Sequence, residues 1–299
     1  MPSDGPAAST EERAATELGL DELLAMRPAR VTGPFARGRR GPDGERAGRG
    51  HAVSLQFEGI APYAPGDDVR WIDWRATART GETQIRRFAA ESHRAHVILL
   101  DLHPALHFGM RGRYLAKTAA LVAARLAWEA DALHEPVGLI ATGVEPAPVR
   151  RGRRAASDVL GRIRDAYHVS RTTAPPPLAE RLAEASRRLG AGDELHLVGD
   201  LEDEAAATSE AARGLTARLA ATVWLVEDPA MAAPVAPGRF PLRLADGARR
   251  VVSIGRRAAA QAPETAERLR VERRRRLRDA GWTVRAALDL APSASTPRP

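Results

Sequence analysis

From His96 onward, short apolar runs alternate with segments of helical periodicity, and this alternation limits the possible folds more than any other feature of the chain. Val97-Ile98-Leu99-Leu100 is unbroken and too short for a helix, which predicts a strand buried on both faces. A helix is expected from Arg111 to Leu133, where Leu115, Ala119, Val122 and Leu126 recur at helical spacing, followed by a strand from Val137 to Ala141. Helices fit Ala155 to Tyr167 and Leu178 to Leu189, divided by Pro175-Pro176-Pro177, which no helix interior tolerates. A strand from Glu194 to Val198 ends at Asp200. A helix from Asp203 to Leu219, a strand from Ala221 to Val226, a helix opened by Pro263 and running toward Gly281, and a last strand from Trp282 to Ala286 complete the series. Such a series reads as an α/β fold with a doubly wound, mainly parallel sheet, and ligands are expected at the carboxyl ends of its strands.

Upstream the pattern is different. Residues 1–50 hold one amphipathic helix candidate, with Leu18, Leu20, Leu23 and Leu24 ending before Pro28, and then a Gly- and Arg-rich arm from Val31 to Gly50. Residues 51–95 carry short elements broken by the turn Pro65-Gly66, with Asp67 or Asp68 placed to cap a helical turn and a strand from Gln84 to Phe88. The α/β series occupies 96–290, and residues 291–299 form a tail of disordered composition.

Composition excludes several kinds of chemistry. The chain has no Cys, so disulfides, thiolate nucleophiles and thiolate-bound metals are ruled out. The pI of about 10.8 suggests nucleic acid. However, the formal net charge is only +7, Lys117 is the only Lys and there are 3 Tyr, so few groups titrate before Arg and the pI is inflated. Arg150-Arg151-Gly152-Arg153-Arg154 and Arg273-Arg274-Arg275-Arg276 are the best basic stretches, but they lack the aromatic platforms of single-strand binders. They read as solvated surface, or as a face for an acidic partner. Neither a membrane span nor a signal pattern is evident, so a cytoplasmic location is expected. Phosphate-cradling, zinc-protease and serine-hydrolase motifs are all absent from the sequence.

The densest motif runs from Gln56 to Arg79. It joins Tyr63, the turn Pro65-Gly66-Asp67-Asp68, then Arg70-Trp71-Ile72-Asp73-Trp74-Arg75 and the downstream Ala78-Arg79, and continues with Ile85-Arg86-Arg87-Phe88 and Glu91. It resembles the signature of the domain-of-unknown-function 58 family, and the resemblance extends from about Gly50 to Leu290. What it implies is a von Willebrand A-like α/β domain preceded by a small signature-bearing region, in a non-enzymatic protein that acts with a MoxR-type AAA ATPase on an unknown client protein. Many members carry amino-terminal membrane helices, whereas this sequence groups with the shorter members. Gly66, Asp67, Asp68, Arg70, Asp73, Trp74, Arg75 and Arg79 are the signature's candidate interaction residues. Read physically, two tryptophans among interleaved Asp and Arg favour charge-assisted hydrogen bonds, with Asp73 expected to pair with Arg70 or Arg79.

The same resemblance implies a metal-ion-dependent adhesion site, with Asp-x-Ser-x-Ser after the first buried strand and a Thr and an Asp on two further loops. Here the strand ends in Asp101-Leu102-His103-Pro104-Ala105, so both serines are replaced. Thr172 or Thr173 and Asp200 stand at the remaining positions. Loss of two oxygen ligands argues against Mg²⁺, and neither metal nor other cofactor is expected there. An alternative is a site for a softer ion formed by Asp101, His103 and His107; His93 and His96 read as strand-edge residues. Three functions follow in order: a non-catalytic adaptor or co-chaperone scaffold, an Arg-rich nucleic-acid-binding protein, and a metal-dependent enzyme using Asp101 and nearby histidines.

Overall fold

A computed structural model describes residues 16–29, 54–91, 94–109, 113–228, 236–243 and 249–290. The Gly- and Arg-rich arm and the tail from residue 291 lie outside these residues, as does His93. The chain divides into two compact units, 45–93 and the remainder.

The amino-terminal helix candidate is a short helix, α1 (Leu20–Ala25), belonging to the larger unit. The smaller unit is an antiparallel pair, β1 (Ser54–Pro62) and β2 (Gln84–Glu91), whose register slips between Phe57 and Gly59. Its connection holds a 3₁₀ turn (Val69–Trp71) and a helix, α2 (Trp74–Thr80), which stops at Gly81 in the left-handed conformation that glycine adopts without strain.

The larger unit is built on a six-stranded sheet. Its strands are β3 (His96–Leu100), β4 (Val137–Ala141), β5 (Ala147–Arg150), β6 (Glu194–Gly199), β7 (Ala220–Leu225) and, after a separate β8–β9 hairpin (Gly238–Arg243, Arg249–Ile254), β10 (Thr283–Ala286). The spatial order is β10-β7-β6-β3-β4-β5, parallel throughout except for β5, which runs antiparallel to β4. Ile98 and Leu100 of β3 face one apolar core with α3 (Leu115–Ala132), α4 (Arg153–Val169) and α1, while Val97 and Leu99 face a second core with α5 (Leu178–Arg188). A strand buried on both faces must be apolar at consecutive positions, which is why the run at 97–100 reads so clearly. His96 is a correction: it opens β3, but β3 is central and the side chain is buried.

The expected helix from Asp203 to Leu219 is two helices, α6 (Glu204–Ala207) and α7 (Glu210–Thr216). Ser209 breaks the run by capping the second, its hydroxyl accepting from Ala212 N–H. The last helix, α8 (Arg256–Asp279), does not start at Pro263 but contains it. The Arg-Arg-Ala-Ala-Ala-Gln-Ala segment before the proline has high helix propensity, enough to carry the helix past one lost hydrogen bond. Among the described residues, no helix is long and apolar enough to cross a membrane.

Candidate functional site

The sheet reverses its winding between β3 and β6, the kind of crevice where open α/β sheets place ligands. Asp101 follows β3 and Asp200 follows β6. Asp101 N–H donates to Val198 O at 2.8 Å, and the two strand ends approach so closely that a Cβ on Gly199 would lie 2.8 Å from Asp101 Cβ. Only glycine fits there without displacement.

Asp101 is answered by an arginine. Arg181 of α5 donates from Nη2 to Asp101 Oδ1 at 2.8 Å and from Nε to Pro176 O at 3.0 Å. Both side chains are nearly inaccessible, at 4% for Asp101 and 6% for Arg181. A buried carboxylate persists only when paired and hydrogen-bonded, and here the chain itself supplies the counter-charge. The sequence reading missed Arg181, yet a signal existed: it lies on the same face of α5 as buried Leu178, Leu182 and Ala185.

The neighbouring imidazoles go elsewhere. His103 Nε2 lies 2.9 Å from Asp200 Oδ1, and Nδ1 is 3.5 Å from Glu202 Oε2. The Asp200 hydrogen bond raises its pKa against the opposing effect of burial, with Asp200, Asp101 and Glu202 adding attraction. His107 Nε2 lies 2.9 Å from Ser170 Oγ, and burial, assisted by the charges of Arg171, His103 and His168, pushes its pKa down to about 4. Asp101, His103 and His107 are therefore committed to three different partners, and among the described residues they do not form a ligand cluster. Thr172 and Thr173 are exposed, their N–H groups turned back to Val169 O, and Ala105 is exposed on the 3₁₀ turn Pro104–Leu106. What this corner offers chemically is a polar rim of Asp200, His103 and Glu202 over a closed ion pair.

In the smaller unit the signature residues make a set of local caps. Gly66 has φ 108° in the turn, Asp67 Oδ2 accepts from Ala64 N–H at 2.9 Å, and Asp68 caps the 3₁₀ turn while gripping the Arg70 guanidinium at 2.6 Å. The Arg70 contacts hold the Asp68 carboxyl below its usual range. Asp73 is the N-cap of α2, accepting from Ala76 N–H at 3.0 Å and Arg75 N–H at 3.1 Å. The Ala76 N–H foremost, then Arg86 and last the Arg75 N–H lower its pKa. Its ionic partner is Arg86, at 2.9 Å, and not Arg70 or Arg79, because capping turns the carboxylate toward the adjacent strand β2. Arg75 and Arg79 project outward with no side-chain ion pair among the described residues. Trp74 is 72% exposed, Val69 61% and Trp71 40%.

The two basic runs also differ. Arg273 donates to Leu201 O at 2.8 Å, Arg274 and Arg270 both reach Glu227, and Arg276 reaches Glu204 at 2.6 Å. Most of the second run therefore holds α8 to its own unit. Arg150, Arg151, Arg153 and Arg154 are exposed.

Residues 60–283 match the family profile described as "Protein of unknown function DUF58". Uncharacterized proteins of Mycobacterium tuberculosis and Mycobacterium bovis are 32% identical over 104 residues, a match spanning 34% of this chain and 33% of theirs. The chain thus spans about a third of the length of these curated relatives. Among solved structures, the conserved hypothetical protein BatB from Bacteroides thetaiotaomicron aligns with a TM-score of 0.37 at 15% identity, covering 64% of this chain and 89% of that one.

Proposed function

Because the chain belongs to the DUF58 family, we propose that it is a non-catalytic adaptor, its larger unit a von Willebrand A-like domain, acting with a MoxR-type AAA ATPase in the maturation or assembly of a client protein. The observation that carries this reading is Trp74, a large aromatic side chain 72% exposed on a helix whose start is fixed by Asp73. Burial removes tryptophan from water with a large gain, so an exposed tryptophan on a rigid support is a ready anchor for a partner. Val69 and Trp71 extend the apolar area, and Arg75 and Arg79 offer guanidinium groups around it for an acidic rim. The family resemblance supplies the identity of the ATPase, and the closed ion pair at Asp101 supports a scaffold over a metal-dependent catalyst.

The test compares substitutions within one segment. Trp74→Ala is expected to leave the melting temperature unchanged while weakening binding to the ATPase by about 30-fold or more, the loss typical of an interface hot spot. Asp73→Ala is expected to lower the melting temperature, since it removes the cap of α2 and the partner of Arg86. Unimpaired ATPase binding by both Trp74→Ala and Arg75→Ala would remove the adaptor surface from this segment.

A further inference from the structure

At the amino ends of β3 and β6, the end opposite Asp101 and Asp200, three metal-ligating side chains converge. His96 and Glu194 are neighbours in register, and His196 lies two residues on, so all three project from one face of the sheet. His96 Nδ1 is 3.2 Å from His196 Nε2, and Glu194 Oε2 is 3.6 Å from each of these nitrogens. Both imidazoles are about 1% exposed. Among the described residues this is the one group of three or more such side chains whose ligand atoms lie close enough to share an ion.

We propose that His96, His196 and Glu194 form a binding site for a single divalent ion of the zinc class. A triangle of these dimensions has a point roughly 2 Å from all three atoms, the length of Zn–N and Zn–O bonds, with a fourth position left for water. Two imidazoles and one carboxylate suit Zn²⁺ and disfavour Mg²⁺ and Ca²⁺, which take oxygen ligands.

The surroundings do what outer groups do at such centres. Glu135 Oε2 sits 2.6 Å from His96 Nε2, so that nitrogen carries the proton and the Nδ1 lone pair is directed at the other two ligands. Arg94 donates to Glu194 Oε1 at 3.4 Å, leaving Oε2 for the ion. The ring planes of the two histidines lie within 9° of parallel. An ion here would tie β3 to β6 at their amino ends, opposite the crevice that holds Asp101. The inference does not depend on the adaptor reading.

The experiment uses the full chain, stripped with chelator and titrated with Zn²⁺, with bound metal counted by mass spectrometry and melting followed in parallel. One Zn²⁺ per chain and a saturable rise in melting temperature are expected. Co²⁺ in its place is expected to give the visible bands of a four-coordinate ion. Glu194→Gln, which keeps the shape of a partly exposed side chain, is expected to abolish stoichiometric binding while remaining folded. Glu135→Gln is expected to weaken it about 10–100-fold. Equal Zn²⁺ uptake by wild type and Glu194→Gln, or no saturable uptake by either, would overturn the proposal and leave the cluster as a buried hydrogen-bond relay. Should Glu194→Gln fail to fold, the Co²⁺ spectrum of the wild type decides alone, an octahedral spectrum counting against the site.

Discussion

Replacing Arg181 by Ala is expected to lower the unfolding free energy by about 3–5 kcal/mol, the usual consequence of leaving one member of a buried ion pair alone. The pair is enclosed on both sides, with Asp101 at 4% and Arg181 at 6% exposure, so water cannot replace the lost guanidinium. Backbone geometry makes matters worse, because Gly199 holds the opposing strand against Asp101 Cβ and leaves the carboxylate little room to turn outward. Removing both charges together, with Asp101→Asn and Arg181→Met, is expected to restore much of the loss, since the larger part of the single-variant effect is the orphaned charge. Denaturant unfolding of the wild type, both single variants and the double variant measures the coupling, and additive effects would show that the two side chains do not depend on each other. Added Mg²⁺ is expected to leave the wild-type melting temperature unchanged, because Arg181 already neutralises Asp101. A saturable shift that disappears in Asp101→Ala would contradict this.

Acid is expected to destabilise the fold through His107. Its pKa in the folded chain is about 4, against an ordinary 6.5, so as pH falls the unfolded chain takes up the proton first. The stability this represents is present above pH 6.5 and is lost as pH falls from there toward 4. A displacement of that size is worth about 3 kcal/mol at a fully buried site. His107 is only half-buried, and solvent screening reduces the expected loss to on the order of 1–2 kcal/mol. His103 works in the opposite sense: its raised pKa contributes stability that is complete below 6.5 and is lost as pH rises through the folded value. Together the two histidines favour a stability maximum between these limbs. His107→Asn, which keeps a polar group beside Ser170, is expected to flatten the stability profile between pH 6.5 and 4, as read by urea unfolding at stepped pH. An unchanged slope in that variant would assign the acid limb to carboxylates alone.

The α/β class, the position of nearly every strand in the central sheet and the capped turn at Asp68 were legible in the sequence. Each of these depends on neighbours in the chain. An unbroken apolar run such as 97–100 can be buried only as a strand covered on both faces, and an aspartate such as Asp68 caps the turn that follows it, whereas the Asp73 cap of α2 emerged only with the fold. The edge strand β5 and the β8–β9 hairpin were not legible, since four to six residues of mixed polarity give no decisive period. Partnerships between residues far apart in the chain came from packing. Asp101 and Arg181 stand 80 positions apart, and His96 and His196 stand 100 apart. Which of them meet depends on the strand order that sets β6 beside β3, and on the face that α5 turns to the sheet. The same order explains why Asp101 faces a guanidinium instead of the threonines, and why His96 is buried when its sequence position suggested an edge. Local periodicity specifies which side chains must leave water, but the packing of elements distant in sequence selects the atoms each polar group finds once it has left.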